Sequence, residues 1–291
     1  MKVAILTDSN SGISQAQAKK LGVTVIPMPF LIDEEEYFED INLSQDEFYQ
    51  KLMAGANVST SQPNIYSVGE TWQELLKTHD EVVYIPMSSG LSGSCETATN
   101  FAKDFGGKVF VVNNKRISVT QKQAVIDAAN LAAEGKSGKE IADYLTKTSM
   151  NASIYIMVST LKYLKKGGRI TPAAALIGGM LKIKPVLTIQ GDKLDKFCQV
   201  ISYDQGKKRM LDQVKKELET RFKKQLADGN IKIMMAYTQD RDRCEQFKAE
   251  ANEMLKHYGL MVEVIDPLSL SVACHIGAGS IAIIICECYK Q

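Results

Sequence analysis

The chain has no excess of charge of either sign: 35 lysines and arginines stand against 34 acidic residues, a net charge of +1. A protein whose main partner is nucleic acid needs a strongly basic face, so that class is disfavoured. Long apolar runs are missing too. Ser280 to Cys286 is apolar but far short of the ~18 residues that a membrane-spanning helix needs, and it reads as a buried strand. At most transient membrane contact is expected. Cysteine is sparse and scattered, at Cys95, Cys198, Cys244, Cys274, Cys286 and Cys288, which is no disulfide framework. Cys286-x-Cys288 with Cys274-His275 lacks the second close pair of a zinc pattern, so buried strand thiols are expected and no metal. The opening Met1 to Asp8 enters a strand-like run without a signal peptide's apolar core and cleavage site. With reduced thiols, this leads to the expectation of a cytoplasmic protein. Internal repeats, low-complexity tracts and a Pro- or Ser-rich linker are also missing.

What is present is an alternation of short apolar runs and amphipathic stretches. Val3 to Leu6, Val23 to Pro27, Glu81 to Met87 and Lys108 to Val112 read as strands. Between and after them, Ser14 with Gln17, Ser44 with Glu47 and Ser67 with Glu70 read as capping boxes, and helices are expected over 118–133 and 138–148. Asp33 to Asp40 is acidic and reads as an exposed loop or edge. Helix-length connections imply βαβ units and a mainly parallel sheet.

The second half changes character. Ile154 to Ser159 reads as a strand and Leu161 to Gly168 as a short basic helix. Thr171 and Pro172 open an alanine-rich helix as N-cap and N1 residue. Lys184 to Ile189 and Phe197 to Ser202 form a hairpin around Gly191-Asp192. Helices over 207–226 and 241–258 then alternate with strands over 231–237, 261–265 and 280–286. The fold class is α/β with two domains: 1–150, a mainly parallel sheet flanked by helices, and 151–291, a mixed sheet with helices.

Two loops gather hydroxyls and backbone N–H groups without a charge: Ser59-Thr60-Ser61-Gln62-Pro63 and Ser88-Ser89-Gly90-Leu91-Ser92-Gly93-Ser94. The second runs from a strand into a helix, where free N–H groups and the helix dipole favour an anion. Thr60 and Ser92 are therefore candidate donors to one carboxylate or phosphate, and Ser/Thr turns or caps are the plain alternative. Gly90-x-Ser92-x-Ser94 falls one glycine short of a nucleophile elbow. Of the three histidines, His79 and His257 sit at helix ends, while His275 lies in a glycine-bearing loop before the last strand. There it is placed to donate to a carboxylate, to act as a base or to bond backbone. Gly277-x-Gly279 lacks the rest of a dinucleotide fingerprint. Arg169 closes the basic run Lys162, Lys165, Lys166, either as part of a solvated face or as a group reaching a site or partner.

Taken together, Thr7-Asp8-Ser9, Thr60-Ser61-Gln62-Pro63, Ser88 to Gly93, Gly168-Arg169-Ile170, Lys184-Pro185-Val186-Leu187 and His275 to Gly279 resemble the DegV family of bacterial fatty-acid-binding proteins. They run in family order over nearly the whole chain. The resemblance implies a non-catalytic carrier that buries a long-chain fatty acid (palmitate, stearate or oleate) between two domains, with no cofactor. It implies that Thr60 and Ser92, supported by Ser61, Gly93 and His275, hold the carboxylate. It further implies that Arg169 meets a partner ATP-dependent fatty acid kinase, which phosphorylates the acid for phospholipid synthesis. The small residues Ala173, Ala174, Ala175, Gly178 and Gly179 in the helix around Pro172 to Leu181 could leave room for the tail, with ordinary tight helix packing the equal alternative. Gly-Ala-Gly replaces the usual Gly-Pro-Gly near the C-terminus, and no arginine stands near Val200 to Tyr203. The alternative reading from the residues is a hydrolase or phosphotransferase that cradles a small phosphorylated metabolite in the same loops.

Overall fold

The computed structural model describes residues 1–176, 183–191 and 193–290. The first part runs β1 (Val3–Asp8), α1 (Gln15–Leu21), β2 (Thr24–Ile26), β3 (Phe30–Ile32), β4 (Glu35–Tyr37), α2 (Gln45–Met53) and β5 (Val58–Thr60). It continues with α3 (Ile65–Leu76), β6 (Glu81–Ile85), α4 (Ser94–Phe101), β7 (Val109–Val111), α5 (Ser118–Ala133) and α6 (Gly138–Lys147). Then come β8 (Ala152–Met157), α7 (Lys162–Gly167), α8 (Pro172–Ala175), β9 (Lys184–Ile189), β10 (Asp195–Val200), α9 (Tyr203–Glu219) and α10 (Lys223–Asp228). The chain closes with β11 (Ile231–Tyr237), α11 (Arg241–Leu255), β12 (Val262–Pro267), α12 (Leu270–Ile276) and β13 (Ile281–Glu287).

Strands β2-β1-β6-β7 form a sheet in which every pairing is parallel. Both faces of it are apolar, as a parallel sheet between helix layers requires. Ile5, Val83 and Ile85 pack on α5 and α6, and Leu6, Val82 and Tyr84 pack on α3 and α4 around the fully buried Trp72. The second sheet, β10-β9-β8-β13-β11-β12, is mixed: only β11 and β12 pair in parallel. The period of two along its strands separates two cores. Tyr155, Met157, Ile283 and Ile285 point to α9 and α11, where Val214, Leu218, Phe247 and Leu255 cover them. Ile154, Ile156, Ala282 and Ile284 point the other way, towards Leu164, Val272, Ile276 and the start of α5.

Two findings correct the sequence expectations, at Ser67 and at His275. The acidic stretch 33–40, expected as an exposed loop or edge, holds an exposed edge strand: β4 pairs with β3, and β3 with β5, in a small antiparallel sheet packed on α2 and α12. Asp33 and Glu34 make its turn at positive φ, and Glu39 is half-buried with its carboxylate accepting from the Leu270 N–H at 2.8 Å. Ser67 does not start a helix. Asn64 caps α3, taking the Tyr66 N–H at 2.9 Å, because helical geometry begins just past Pro63. His275 does not lie in a loop but in α12, a helix buried nearly all round. In addition, the lysine-rich helix breaks between α9 and α10, where Phe222 turns into the core. Thr171 and Pro172 open α8 as read, while Gly178, Gly179, Leu181 and Asp192 lie outside the described residues. Among the described residues, no helix is long and apolar enough to cross a membrane.

Candidate functional site

The two hydroxyl-rich loops meet. β5 ends at Thr60, and the loop after it carries Gln62, whose Oε1 accepts from Thr97 on α4 at 3.1 Å. Gln62 Nε2 lies so close to Gly93 that a Cβ there would approach it to 2.7 Å. Gly93 thus lets the two loops close on each other. In the second loop the Leu91 and Ser92 N–H groups both turn back onto the Ser88 carbonyl, at 3.0 and 3.1 Å. The Ser92 hydroxyl accepts from the Ser94 N–H at 3.2 Å and donates to the Ser94 hydroxyl at 3.0 Å.

From the other side, α12 brings His275 to the first loop, with Nε2 2.9 Å from Thr60 Oγ1. Its position is set at both ends of the helix. Glu39 takes the first N–H of α12, and burial pushes its carboxyl up to about 7 against the opposing effect of that bond and of Gln45. At the other end the ring rests against Gly167, where a Cβ would stand 2.1 Å from Nδ1. Burial, and then the charge of Arg169, lower the imidazole to about 4, so His275 is neutral near pH 7. Arg169 itself follows the glycine pair that ends α7. Its Nε donates to the Leu91 carbonyl at 3.1 Å and its Nη1 to the Gly167 carbonyl, which fixes one positive charge beside Ser92.

These groups line a cavity of about 270 Å³. Of the sequence candidates, Thr60, Ser61, Ser92, Gly93, His275 and Arg169 all lie on its wall. The cavity is also lined by the inner face of the six-stranded sheet, with Ile154, Ile156, Ile189, Ala236, Ala282 and Ile284. Segments on both sides of residue 150 contribute. The site therefore combines polar groups, with Arg169 the one charged side chain among the described lining residues, and a broad apolar surface, the form of a pocket for an amphiphile. Among the described residues no base is bonded to Ser92: the His275 Nε2 contact is to Thr60, and the serine hydroxyl is engaged with Ser94.

Three polar residues on the cavity wall were not singled out from the sequence as site residues: Asn10, Ser118 and Ser271. Ser118 sits at φ 55, a left-handed conformation that costs a non-glycine residue energy and that no local signal announces. Ser271 lies four residues before His275 in α12, and that helix was not read as one. Asn10 adjoins the Thr7-Asp8-Ser9 motif, which was the available signal.

The sequence profile described as "Uncharacterised protein, DegV family" matches residues 2–287. A DegV domain-containing protein of Deinococcus radiodurans is 29% identical over 284 residues, covering 97% of this chain and 98% of its own length. Among solved structures, a fatty-acid-binding DegV family protein of Thermus thermophilus superposes with a TM-score of 0.86 at 27% identity, over 99% of this chain and 100% of that one. Another of Streptococcus agalactiae gives 0.85 at 27% identity over 100% of both chains. The α/β fold with a parallel sheet and a separate mixed sheet is shared with these neighbours, and the chain belongs to the DegV family.

Proposed function

We propose that this protein binds a long-chain fatty acid, such as palmitate, stearate or oleate, and presents its carboxylate to a partner ATP-dependent kinase for acyl-phosphate formation. One observation carries the reading: Thr60, Ser92, His275 and Arg169 line the same cavity as an apolar sheet face. In this reading, residues 1–150 supply the carboxylate loops, residues 151–291 cover the acyl chain, and the ligand lies between them. The solved relatives named for fatty-acid binding support the choice of ligand.

The Thr60–His275 contact explains how a neutral histidine serves an anion. With the proton on Nε2, the imidazole donates to Thr60 Oγ1 and leaves the threonine hydroxyl free to donate into the cavity. With the proton on Nδ1 the threonine must donate to the ring instead, and it offers only lone pairs to the carboxylate. A bound carboxylate therefore selects the Nε2–H form. Ser61 and Gly93 flank the two donors, and Arg169 supplies the opposing charge. Half-exposed at the loop, Arg169 is also the group proposed to meet the kinase.

The tail supplies most of the affinity. Burying about 14 methylenes at roughly 0.8 kcal/mol each contributes on the order of 11 kcal/mol before association costs. Each hydroxyl donating to the carboxylate adds about 1.5–3 kcal/mol and sets orientation. The Ser92–Ser94 bond, in place of a Ser92–His275 pair, favours a carrier over a hydrolase using the same loops. Solvent extraction of purified protein followed by mass spectrometry tests the proposal. Stoichiometric fatty acid is expected; its absence, with no uptake of added lipid, overturns it.

A further inference from the structure

The motif Thr7-Asp8-Ser9 closes β1, the strand between β2 and β6 in the parallel sheet, and none of its residues lies on the cavity wall. β1 pairs with β2 as far as Asp8 opposite Ile26, and with β6 as far as Thr7 opposite Ile85. There the chain leaves the sheet for a 3₁₀ turn (Ser9–Ser11) closed by Gly12 in the left-handed conformation. The neighbouring segments lose their backbone partner, and a buried N–H without an acceptor is costly. Two side chains take its place. Ser9 Oγ accepts from the Met28 N–H at 3.0 Å, two residues past β2, and Asp8 Oδ2 accepts from the Met87 N–H at 2.9 Å, two residues past β6. Asp8 is fully buried and itself held: Oδ1 takes the Asn10 N–H at 3.0 Å and Gln121 Nε2 at 3.1 Å, and the Asn10 side-chain amide bonds the carboxyl as well. Met28 and Met87 both lie on the cavity wall. Met87 packs beside the inner sheet face, whereas Met28, only 4% exposed, joins none of the apolar cores among the described residues.

Building on the fatty-acid reading of the cavity, we propose that Asp8 and Ser9 are positioning residues for the acyl chain, acting through Met87 and Met28. A methionine side chain is unbranched with three rotatable bonds, so it adapts to what it meets and does not fix its own place. What is fixed is the backbone that carries it. Each of these hydrogen bonds removes motion before the ligand arrives, motion that binding would otherwise have to remove at a cost in affinity. The duties are divided: of the two methionines, Ser9 holds only Met28 and Asp8 only Met87. The motif thus shapes the wall that meets the tail while standing behind it.

The test is a pair of double-mutant cycles on delipidated protein, read by displacement of a fluorescent fatty acid with palmitate. Ser9→Ala removes the Met28 acceptor. Asp8→Asn keeps one oxygen for Asn10 and Gln121 and turns its NH₂ on the Met87 N–H, which then has no acceptor. Each is expected to weaken palmitate about three- to tenfold, the worth of one net hydrogen bond. Ser9→Thr, which keeps the hydroxyl, should bind like the parent. In a Met28→Ala background Ser9→Ala should have no further effect, and in a Met87→Ala background Asp8→Asn should have none. The crossed pairs, Ser9→Ala with Met87→Ala and Asp8→Asn with Met28→Ala, should add. A general loosening of the fold would instead spread over both methionines alike. Single variants that bind palmitate like the parent, matched pairs that add, or crossed pairs that couple equally overturn the proposal. If Asp8→Asn does not fold, the Ser9 cycles with the two methionines decide by the same outcomes. Failure of the parent protein to bind palmitate at all overturns the fatty-acid reading, and this role with it.

Discussion

Gly167→Ala is the sharpest perturbation of the site that leaves every polar group in place. Gly167 is the last residue of α7, with no left-handed φ, so alanine fits its backbone and the gain in helix propensity is about 1 kcal/mol. The added methyl, however, would stand 2.1 Å from His275 Nδ1 and 2.7 Å from Cε1, where ordinary contact begins at 3.4 Å. The ring must retreat by about 1 Å, and it belongs to a helix held at its far end by Glu39. Crowding of this kind costs about 1–3 kcal/mol. Losing the Thr60–His275 bond costs about another 0.5–1.5 kcal/mol. A net destabilisation of about 0.5–3.5 kcal/mol is expected by urea unfolding, with fatty-acid affinity reduced on the order of tenfold as Thr60 loses the partner that orients it. Gly168→Ala is the control: at φ 67 it meets no atom within 4 Å, so backbone strain of about 1–2 kcal/mol appears without any change in affinity. An alanine at 167 that stabilises the protein and leaves lipid binding unchanged would refute the reasoning.

Other perturbations separate binding, coupling and titration. Ser92→Ala removes the bond from the Ser94 N–H, at about 0.5–1.5 kcal/mol of stability, and is expected to lower kinase-coupled acyl-phosphate formation more than tenfold; equal coupled rates remove Ser92 from the site. Arg169→Ala is expected to abolish coupling while lipid is retained on extraction, and lost lipid would assign the guanidinium to binding instead. For His275 the folded value of about 4 lies below the unfolded 6.5, so the unfolded chain binds the extra proton as pH falls through this window. Stability is lost by up to about 3 kcal/mol between pH 6.5 and 4, and His275→Gln should not show this loss. Glu39, raised to about 7, acts oppositely in much of the same range, its contribution disappearing as pH rises, so the informative measurement is the difference between variant and parent. Parallel urea-unfolding curves for the two at pH 7 and pH 4.5 would contradict the buried, neutral histidine.

Much of this architecture was legible because local signals and tertiary structure agree. The capping boxes at Ser14 and Ser44 form as read, the parallel strands are short apolar runs bounded by turns, and Pro172 opens α8 behind Thr171. The misreadings have physical causes. Helix α12 is buried on nearly every side, so Leu270 to Ile276 shows no amphipathic period, and His275 was read as a loop residue. The three strands of the small sheet are three residues each, too short for alternation to register. Ser67-x-x-Glu70 has the spacing of a capping box inside a helix that Asn64 had already started. For the site, residue types pointed to Thr60 and Ser92. The Thr60–His275 contact joins positions 215 residues apart and could be read only once α12 was folded onto β5.

The six-stranded sheet divides its labour by parity. Along β8 and β13 one set of side chains is fastened under α9 and α11, while the alternate set borders open space. Same-side neighbours stand about 6.5–7 Å apart along a strand, so each rung marks off a fixed length of any linear molecule laid across it. Exchanging Ile154 or Ile284 for a larger or smaller side chain would narrow or widen the space beside that rung while leaving the helix-covered layer alone. Selection can thus recalibrate what this scaffold measures one residue at a time, without renegotiating how it folds.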